Sequence, residues 1–394
     1  MSARTIHPFP ARMAPELAIN ALPPISGKPI TVMDPMCGAG TVLSAAVAIG
    51  HRAIGFDLDP LAVAMSRVAS THVDAWLLAA AGSEVASRAG RFRSIIWPWD
   101  DDETTQFAEF WFGIDQRIQL AHLARAITAV EDDSIRNALY VALSRMIVTK
   151  SPRASLAADT AHSRPHRVQL TSDFDVIGGF RQSVLELCRL IDKRVVRKPA
   201  VVRLGDARIL PTVKDGEVDL VITSPPYLNA IDYMRGHRLA LIWHGYSIAA
   251  LRNIRSASIG AERKIDEPAE NDVKKLLAVV LSDIANPSAL PAGAVERYAH
   301  DLCLLAAQLG RVTRVGGSVV AVVGNSTIKS NFIRNDKIFE GALEMFGFEL
   351  FDRFERPLPE NRRYLPISTK SKSLALESRM RTEVVLSMRN RGQK

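Results

Sequence analysis

The residues with the plainest chemical implication are Thr223-Ser224-Pro225-Pro226-Tyr227, which directly follow the apolar run 218–222. Two consecutive prolines remove two backbone N–H donors and hold the chain extended. Carbonyls at a strand tip then face a ligand with no competing internal partners. An exocyclic amine has two hydrogens to donate, and the Ser224 hydroxyl and the Pro225 carbonyl can accept them. Such bonds draw electron density toward the nitrogen and aim its lone pair at a methyl donor. Tyr227 can stack on a base, a contact worth ~1–3 kcal/mol in other proteins. Taken alone, the same five residues also make a rigid proline turn with a packed ring.

Three further features stand at strand ends and favour the chemical reading. The apolar run 29–33 leads into Asp34-Pro35-Met36-Cys37-Gly38-Ala39-Gly40-Thr41, and the small, apolar stretch 42–49 follows. Gly38 and Gly40 let a ligand approach the backbone, and the next helix presents free N–H groups. Asp34 can accept a hydrogen bond from a cationic amine. The third glycine of a dinucleotide fingerprint is missing, so no pyrophosphate is implied. An ordinary tight turn has the same composition. Asp57 closes a second strand, 53–56, where a carboxylate suits the two hydroxyls of a ribose. Asp59 competes for that role, but it also suits the N-cap of a helix starting near Leu61. Asp206 ends a third strand, Val201–Leu204; it can accept an adenine amino group or simply form the Gly-Asp-Ala turn.

These strand tips need a sheet to hold them. The order strand, glycine-rich turn, helix, strand over 29–57 is a βαβ unit. Residues 70–195 read as mostly helical. Ser134 is expected to cap a helix whose Ile135, Ala138, Leu139, Ala142, Leu143, Met146 and Ile147 share one face. A polar, basic segment, 151–168, interrupts this region and carries Arg153, His162, Arg164, His166 and Arg167. Residues 246–290 are polar and poorly periodic and read as a second insertion. A helix over 294–309, a strand over 318–323, an element over 349–356 and a last strand over 382–388 complete the pattern. The division expected is a catalytic domain, 1–69 and 196–394, around a helical insertion, 70–195, with 246–290 inserted in the catalytic part.

Of the 394 residues, 47% are hydrophobic, enough for a sizeable core. The net charge of +8 suits a polyanionic partner. Cys37, Cys188 and Cys303 are far apart and lack metal or disulfide spacing, which fits a reducing, cytoplasmic setting. No apolar run reaches the ~18 residues needed to cross a bilayer.

DPMCGAGT (34–41), GFDLDP (55–60) and TSPPY (223–227) resemble the cofactor and catalytic motifs of the DNA amino-methyltransferases. The resemblance covers about 1–67 and 200–394 and leaves the helical insertion unexplained. It implies a Rossmann-like α/β sheet, S-adenosylmethionine as cofactor, and methylation of cytosine N4 or adenine N6. Serine in first place before the prolines resembles the cytosine-N4 branch. Two more stretches are similar to family motifs: HPFPARM (7–13), a cofactor lid with Phe9, and RPLPENRRYLP (356–366), a base-pocket loop with Arg362 and Arg363. The resemblance thus assigns Ser224, Pro225, Pro226 and Tyr227 to catalysis. Phe9, Asp34, Cys37, Gly38, Gly40, Thr41, Asp57 and Asp206 go to the cofactor, with Cys37 packing against it.

Direct in-line transfer to an amine needs neither a metal nor a covalent intermediate. A C5-cytosine mechanism would need a cysteine nucleophile beside proline, and none of the three cysteines has that setting. A base in double-stranded DNA must be flipped out to reach a strand-tip pocket, at a cost of a few kcal/mol. Arg153, Arg164, Arg167, Arg235 and Arg238 are candidates for phosphate contacts, although any one of them also reads as a solvated surface charge. The rival readings are an adenine-N6 enzyme, an RNA base methyltransferase and a non-catalytic nucleic-acid-binding relative. A separate restriction endonuclease is a compatible partner; a membrane is not.

Overall fold

The computed structural model describes residues 6–8, 13–162, 165–228, 232–261, 271–282, 290, 293–328, 331–357 and 382–392. Phe9, Arg164, Arg362 and Arg363 lie outside the described residues. In chain order the elements are α1 (Pro15–Ala21), β1 (Thr31–Asp34), α2 (Thr41–Ile49), β2 (Arg52–Asp57), α3 (Pro60–Ser70), α4 (Ala75–Arg91), α5 (Asp102–Trp111), α6 (Ile114–Thr128) and α7 (Asp133–Ser144). Next come β3 (Ala157–Ala158), β4 (His166–Arg167), α8 (Val176–Ile191), β5 (Val201–Leu204), β6 (Val218–Thr223), α9 (Met234–Leu241), α10 (Ile248–Ser256) and α11 (Asn271–Ser282). The chain closes with α12 (Ala294–Val312), β7 (Thr313–Gly324), β8 (Ser326–Ile328), β9 (Asn331–Ile333), α13 (Asn335–Met345), β10 (Phe348–Pro357) and β11 (Thr382–Asn390). The class is α/β, as expected of a Rossmann-like chain. Among the described residues no helix is long and apolar enough to cross a membrane.

The chain packs as two compact units. The first comprises Met1–Pro29, Cys37–Leu204 and Ile231–Arg255; the second comprises Ile30–Met36, Gly205–Ala230 and Ser256–Lys394. In the first unit β2 and β5 pair in parallel, with Ile54 opposite Val201 and Asp57 opposite Leu204. A continuous hydrophobic cluster joins Leu61 and Met65 of α3 to Leu78 of α4, Leu120 of α6, Leu139 of α7 and Phe180 of α8. Gly82 lets α4 and α8 approach closely, since a Cβ there would lie 2.7 Å from Val184 Cγ1. Because α3 shares this core, packing does not divide the chain at 69/70, where the motifs alone drew a boundary. An amphipathic helix cannot bury its apolar stripe alone, and here α7 packs on α3 while α4, α6 and α8 pack on α7 and on one another.

In the second unit the strands run in the order β10-β11-β7-β6-β1. β1, β6 and β7 are parallel, while β11 and β10 are antiparallel. β1 is buried along its whole length and β6 nearly so, as the apolar runs 29–33 and 218–222 require of central strands. β7 starts at Thr313, earlier than the expected 318. Gly316 adopts φ +79° within it, and the register with β6 shifts between Val218 and Leu220. The glycine pair therefore makes an irregularity inside the strand instead of preceding it.

Three local expectations are corrected. The helix expected from Ser134 starts at Asp133 and is capped by Asp132, whose carboxylate accepts from the Ser134 and Ile135 backbone N–H groups. Met146 and Ile147 are buried but lie past its end. The stretch 246–290, read as poorly periodic, contains two amphipathic helices, α10 and α11.

Candidate functional site

The glycine turn is shaped by the elements beneath it. Cys37 N–H donates to Phe56 O at 2.8 Å, and Gly40 N–H donates to Cys37 O at 2.8 Å. Ser66 Oγ of α3 donates to Gly38 O at 2.8 Å. Gly40 sits at φ +79°, and a Cβ there would stand 2.9 Å from Ser66 Cα. Both the backbone conformation and the space therefore demand glycine. Gly40 N-caps α2 without a side-chain bond, so the N–H groups at Thr41 and beyond meet no side-chain cap. Cys37 is buried, and its sulfur packs over Gly55, where a Cβ would lie 3.3 Å away.

Asp57 is the electrostatic centre of this turn. Its carboxylate accepts from Gly38 N–H at 2.8 Å and from Asp59 N–H at 2.9 Å. Burial first, then the charge of Asp59, pushes its pKa up to about 6; the two backbone N–H groups and His237 oppose that rise. Asp59 caps α3 through Leu61 N–H at 2.8 Å and also pairs with Nδ1 of His237 on α9. Sequence reading assigned the cap correctly but missed His237. Its only sequence signal is a histidine on a helix face.

In the second unit, Asp34 is buried and accepts from Thr223 Oγ1 at 3.0 Å and Met36 N–H at 3.2 Å. It thus joins the tips of β1 and β6. Ser224 Oγ donates to Val322 O of β7 at 2.9 Å. A hydroxyl that has placed its hydrogen there keeps its lone pairs for a donor from elsewhere. Pro225 is buried, whereas Ser224, Pro226 and Tyr227 remain partly exposed. Tyr298, fully buried on α12, donates its hydroxyl to Pro226 O at 3.0 Å. Burial, then the neighbouring Tyr227, raises the Tyr298 phenol above its ordinary value. Ser326 Oγ donates to Leu228 O, so the chain is fastened on both sides of Tyr227.

Asp206 is already engaged. Arg208 Nε lies 3.0 Å from its Oδ1, and an Arg208 terminal nitrogen lies 2.6 Å from its Oδ2. Arg208 also pairs with buried Asp301, which accepts from Gly260 N–H at 2.9 Å. Sequence reading missed both Arg208 and Asp301.

The described arginines differ in setting. Arg153 is exposed. Arg167 is exposed too, donates to Gln169 O at 3.1 Å and lies 5.3 Å over the Phe110 ring. Arg235 pairs with Asp232 at 3.2 Å. Arg238 is half-buried, 4.9 Å over the Phe107 ring. By compact unit, Cys37, Gly38, Gly40, Thr41, Asp57 and the four arginines belong to the first; Asp34, Asp206 and Ser224 to Tyr227 belong to the second.

No family model matches the chain. Among curated proteins, it is similar to the type II methyltransferase M.MvaI of Kocuria varians: 22% identity over 417 residues, covering 98% of this chain and 90% of that protein. A putative DNA modification methylase from Thermus thermophilus, complexed with S-adenosyl-L-methionine, aligns over 48% of this chain and 52% of its own. That match has 15% identity and a TM-score of 0.25, and this chain spans about half the length of that structure. A geranyl diphosphate methyltransferase in complex with SAM aligns over 95% and 84%, with 10% identity and a TM-score of 0.36.

Proposed function

We propose that this protein transfers a methyl group from S-adenosylmethionine to the exocyclic amine of a base in DNA, with N4 of cytosine as the target. The observation that carries this reading is the tip of β6. The Ser224 hydroxyl gives its hydrogen to Val322 O, and the prolines that follow have no N–H to offer. The Ser224 lone pairs and the Pro225 carbonyl are then acceptors side by side at the tip, which suits an amine with two hydrogens. The similarity to a type II methyltransferase along nearly the whole chain supports the same activity.

The residues of the glycine turn fit the methyl donor. Asp57, a partly exposed acid at a strand end, suits two ribose hydroxyls, and Gly38 and Gly40 admit the ligand to the backbone. Phe9, Asp34, Cys37, Thr41 and Asp206 are the other residues that the family motifs assign to the donor. Asp206 then serves as an acceptor already held in place by Arg208. When bound, the donor supplies an electrophilic methyl on a sulfonium sulfur. Ser224 and Pro225 orient the amine and Tyr227 stacks on the base; the amine lone pair forms the new N–C bond as the sulfur–methyl bond breaks to leave a neutral thioether, and the amine proton leaves to solvent. Positioning and acceptor electrostatics supply the rate enhancement. A duplex substrate must extrude its base, a cost of a few kcal/mol that stacking and phosphate contacts offset.

Expression in a methylation-free host followed by base-resolved mapping tests the proposal. N4-methylcytosine at a fixed sequence is the expected product. N6-methyladenine would overturn the base assignment, and methylated RNA with unmodified DNA would overturn the polymer.

A further inference from the structure

Four arginines gather on two helices of the first unit. Arg235 and Arg238 stand three residues apart on α9, and Arg252 and Arg255 stand three apart on α10. Three residues are about 4.5 Å of helix axis, so each helix sets out two guanidinium groups in a row. Two carboxylates answer them: Asp232 pairs with Arg235 and Arg255, and Glu103 pairs with Arg252. At Arg238 the charges of Arg255, Arg235 and Arg252 stand against the one carboxylate of Asp232, while Glu103 belongs to the acidic run 100–103. Among the described residues Arg238 has no ion-pair partner, and its Nε has no acceptor. Burial, then Arg255, lowers its pKa from the ordinary guanidinium value, and the one nearby carboxylate, Asp232, opposes that fall only in part. A desolvated cation among other cations is costly unless an anion joins it. The outer three are about half exposed, at 55%, 59% and 51% for Arg235, Arg252 and Arg255.

We infer that Arg235, Arg238, Arg252 and Arg255 form a surface for the phosphate backbone of a nucleic acid, with Arg238 as its partly desolvated centre. Arg252 and Arg255 lie in the stretch that sequence patterning treated as a featureless insertion. The inference rests on the nucleic-acid reading above and adds the residues that grip the polymer. A single small phosphate would be satisfied by Arg238 and one neighbour. Exposed guanidinium groups on two helices instead match a strand carrying a charge about every 3.4 Å.

The test is the salt dependence of binding. Each phosphate contact contributes about 0.9 to the slope of log K against log salt. R252Q/R255Q is therefore expected to lower the slope by about 2 on duplex DNA, with S-adenosylmethionine affinity by calorimetry unchanged. R314Q/R391Q removes the same charge from exposed arginines paired with Asp219 and Glu349 in the second unit, and should leave the slope unaltered. Equal slopes for wild type and R252Q/R255Q would overturn the inference, as would equal losses in the two double variants. Wild-type protein that binds structured RNA but not duplex DNA would overturn the DNA reading alone, and the same slopes measured on RNA then decide the arginine surface. A normal loss of slope in a protein that fails to bind S-adenosylmethionine would overturn methyl transfer and uphold the surface.

Discussion

The two strand-tip loops of this protein are built in opposite ways. The glycine turn after β1 keeps its backbone donors and aims Gly38 N–H at a carboxylate, Asp57. The proline tip after β6 lacks an N–H at Pro225 and Pro226, ties the Pro226 carbonyl to Tyr298, and leaves the Pro225 carbonyl and the serine lone pairs. The first is shaped by what glycine permits, namely a left-handed Gly40 packed on Ser66. The second is shaped by what proline forbids. In the first, the N–H groups of Met36, Cys37, Gly38 and Gly40 are used within the protein, so the turn offers space and the Asp57 carboxylate; in the second, the Pro225 carbonyl and the Ser224 lone pairs suit an amine.

Substitutions at each loop should separate the two roles. The largest effect is expected from Tyr227→Ala: methyl transfer falls by about 10- to 100-fold through lost stacking, while calorimetry shows unchanged donor affinity. Equal loss of both would erase the distinction between the loops. Gly40→Ala should do the reverse. Its strained φ and the contact with Ser66 Cα cost about 1–3 kcal/mol of stability, read in urea unfolding, and donor binding falls with it.

Asp57→Asn sharpens the electrostatic side. In the folded chain Asp57 holds its proton up to about pH 6, whereas an unfolded aspartate loses it near pH ~4. The folded state therefore binds the extra proton in that window. This group's contribution to stability is present at low pH and is lost as pH rises from about 4 to about 6. Relative to wild type, Asp57→Asn should gain about 1–2 kcal/mol in urea unfolding between pH 4.5 and 7.5; a pH-independent difference would count against a proton-holding Asp57. The smallest effect is expected from Asp132→Ala, which removes the α7 cap and about 1 kcal/mol. It should shift the unfolding midpoint and leave donor affinity and transfer rate intact, a baseline against which losses at either loop are judged.

Much of both loops was legible in the sequence because glycine, proline and strand-end aspartate announce themselves locally. The central strands were legible for the same reason: 29–33 and 218–222 are apolar without alternation, as buried parallel strands are. What was hidden is what the fold brings from afar. His237 reaches Asp59 across 178 positions, Arg208 reaches Asp301 across 93, and Tyr298 reaches Pro226 across 72. No local pattern marks such pairs, since each residue alone reads as an ordinary helix or turn residue. The α7 cap was misassigned by two residues because Asp132 and Ser134 are both good cap formers and only the geometry chooses. Residues 246–290 hid α10 because four of its nine residues, Arg252, Asn253, Arg255 and Ser256, are polar and its buried face is narrow, with Ile248 and Leu251 the residues it buries.

The Tyr298 hydroxyl fixes the backbone next to Tyr227. The segment bearing Tyr227 is stiffened from within by its ring residues and moored from outside to α12 and to Ser326. If this tip holds the amine as proposed, little rearrangement is left for a substrate to induce, and it would act as a mould and not a glove. Preorganisation of this kind lowers the entropic penalty of association and narrows tolerance for amines of other shape. Under the proposed reading, selectivity for the target base would depend on the helix that moors the tip as well as on the Tyr227 ring.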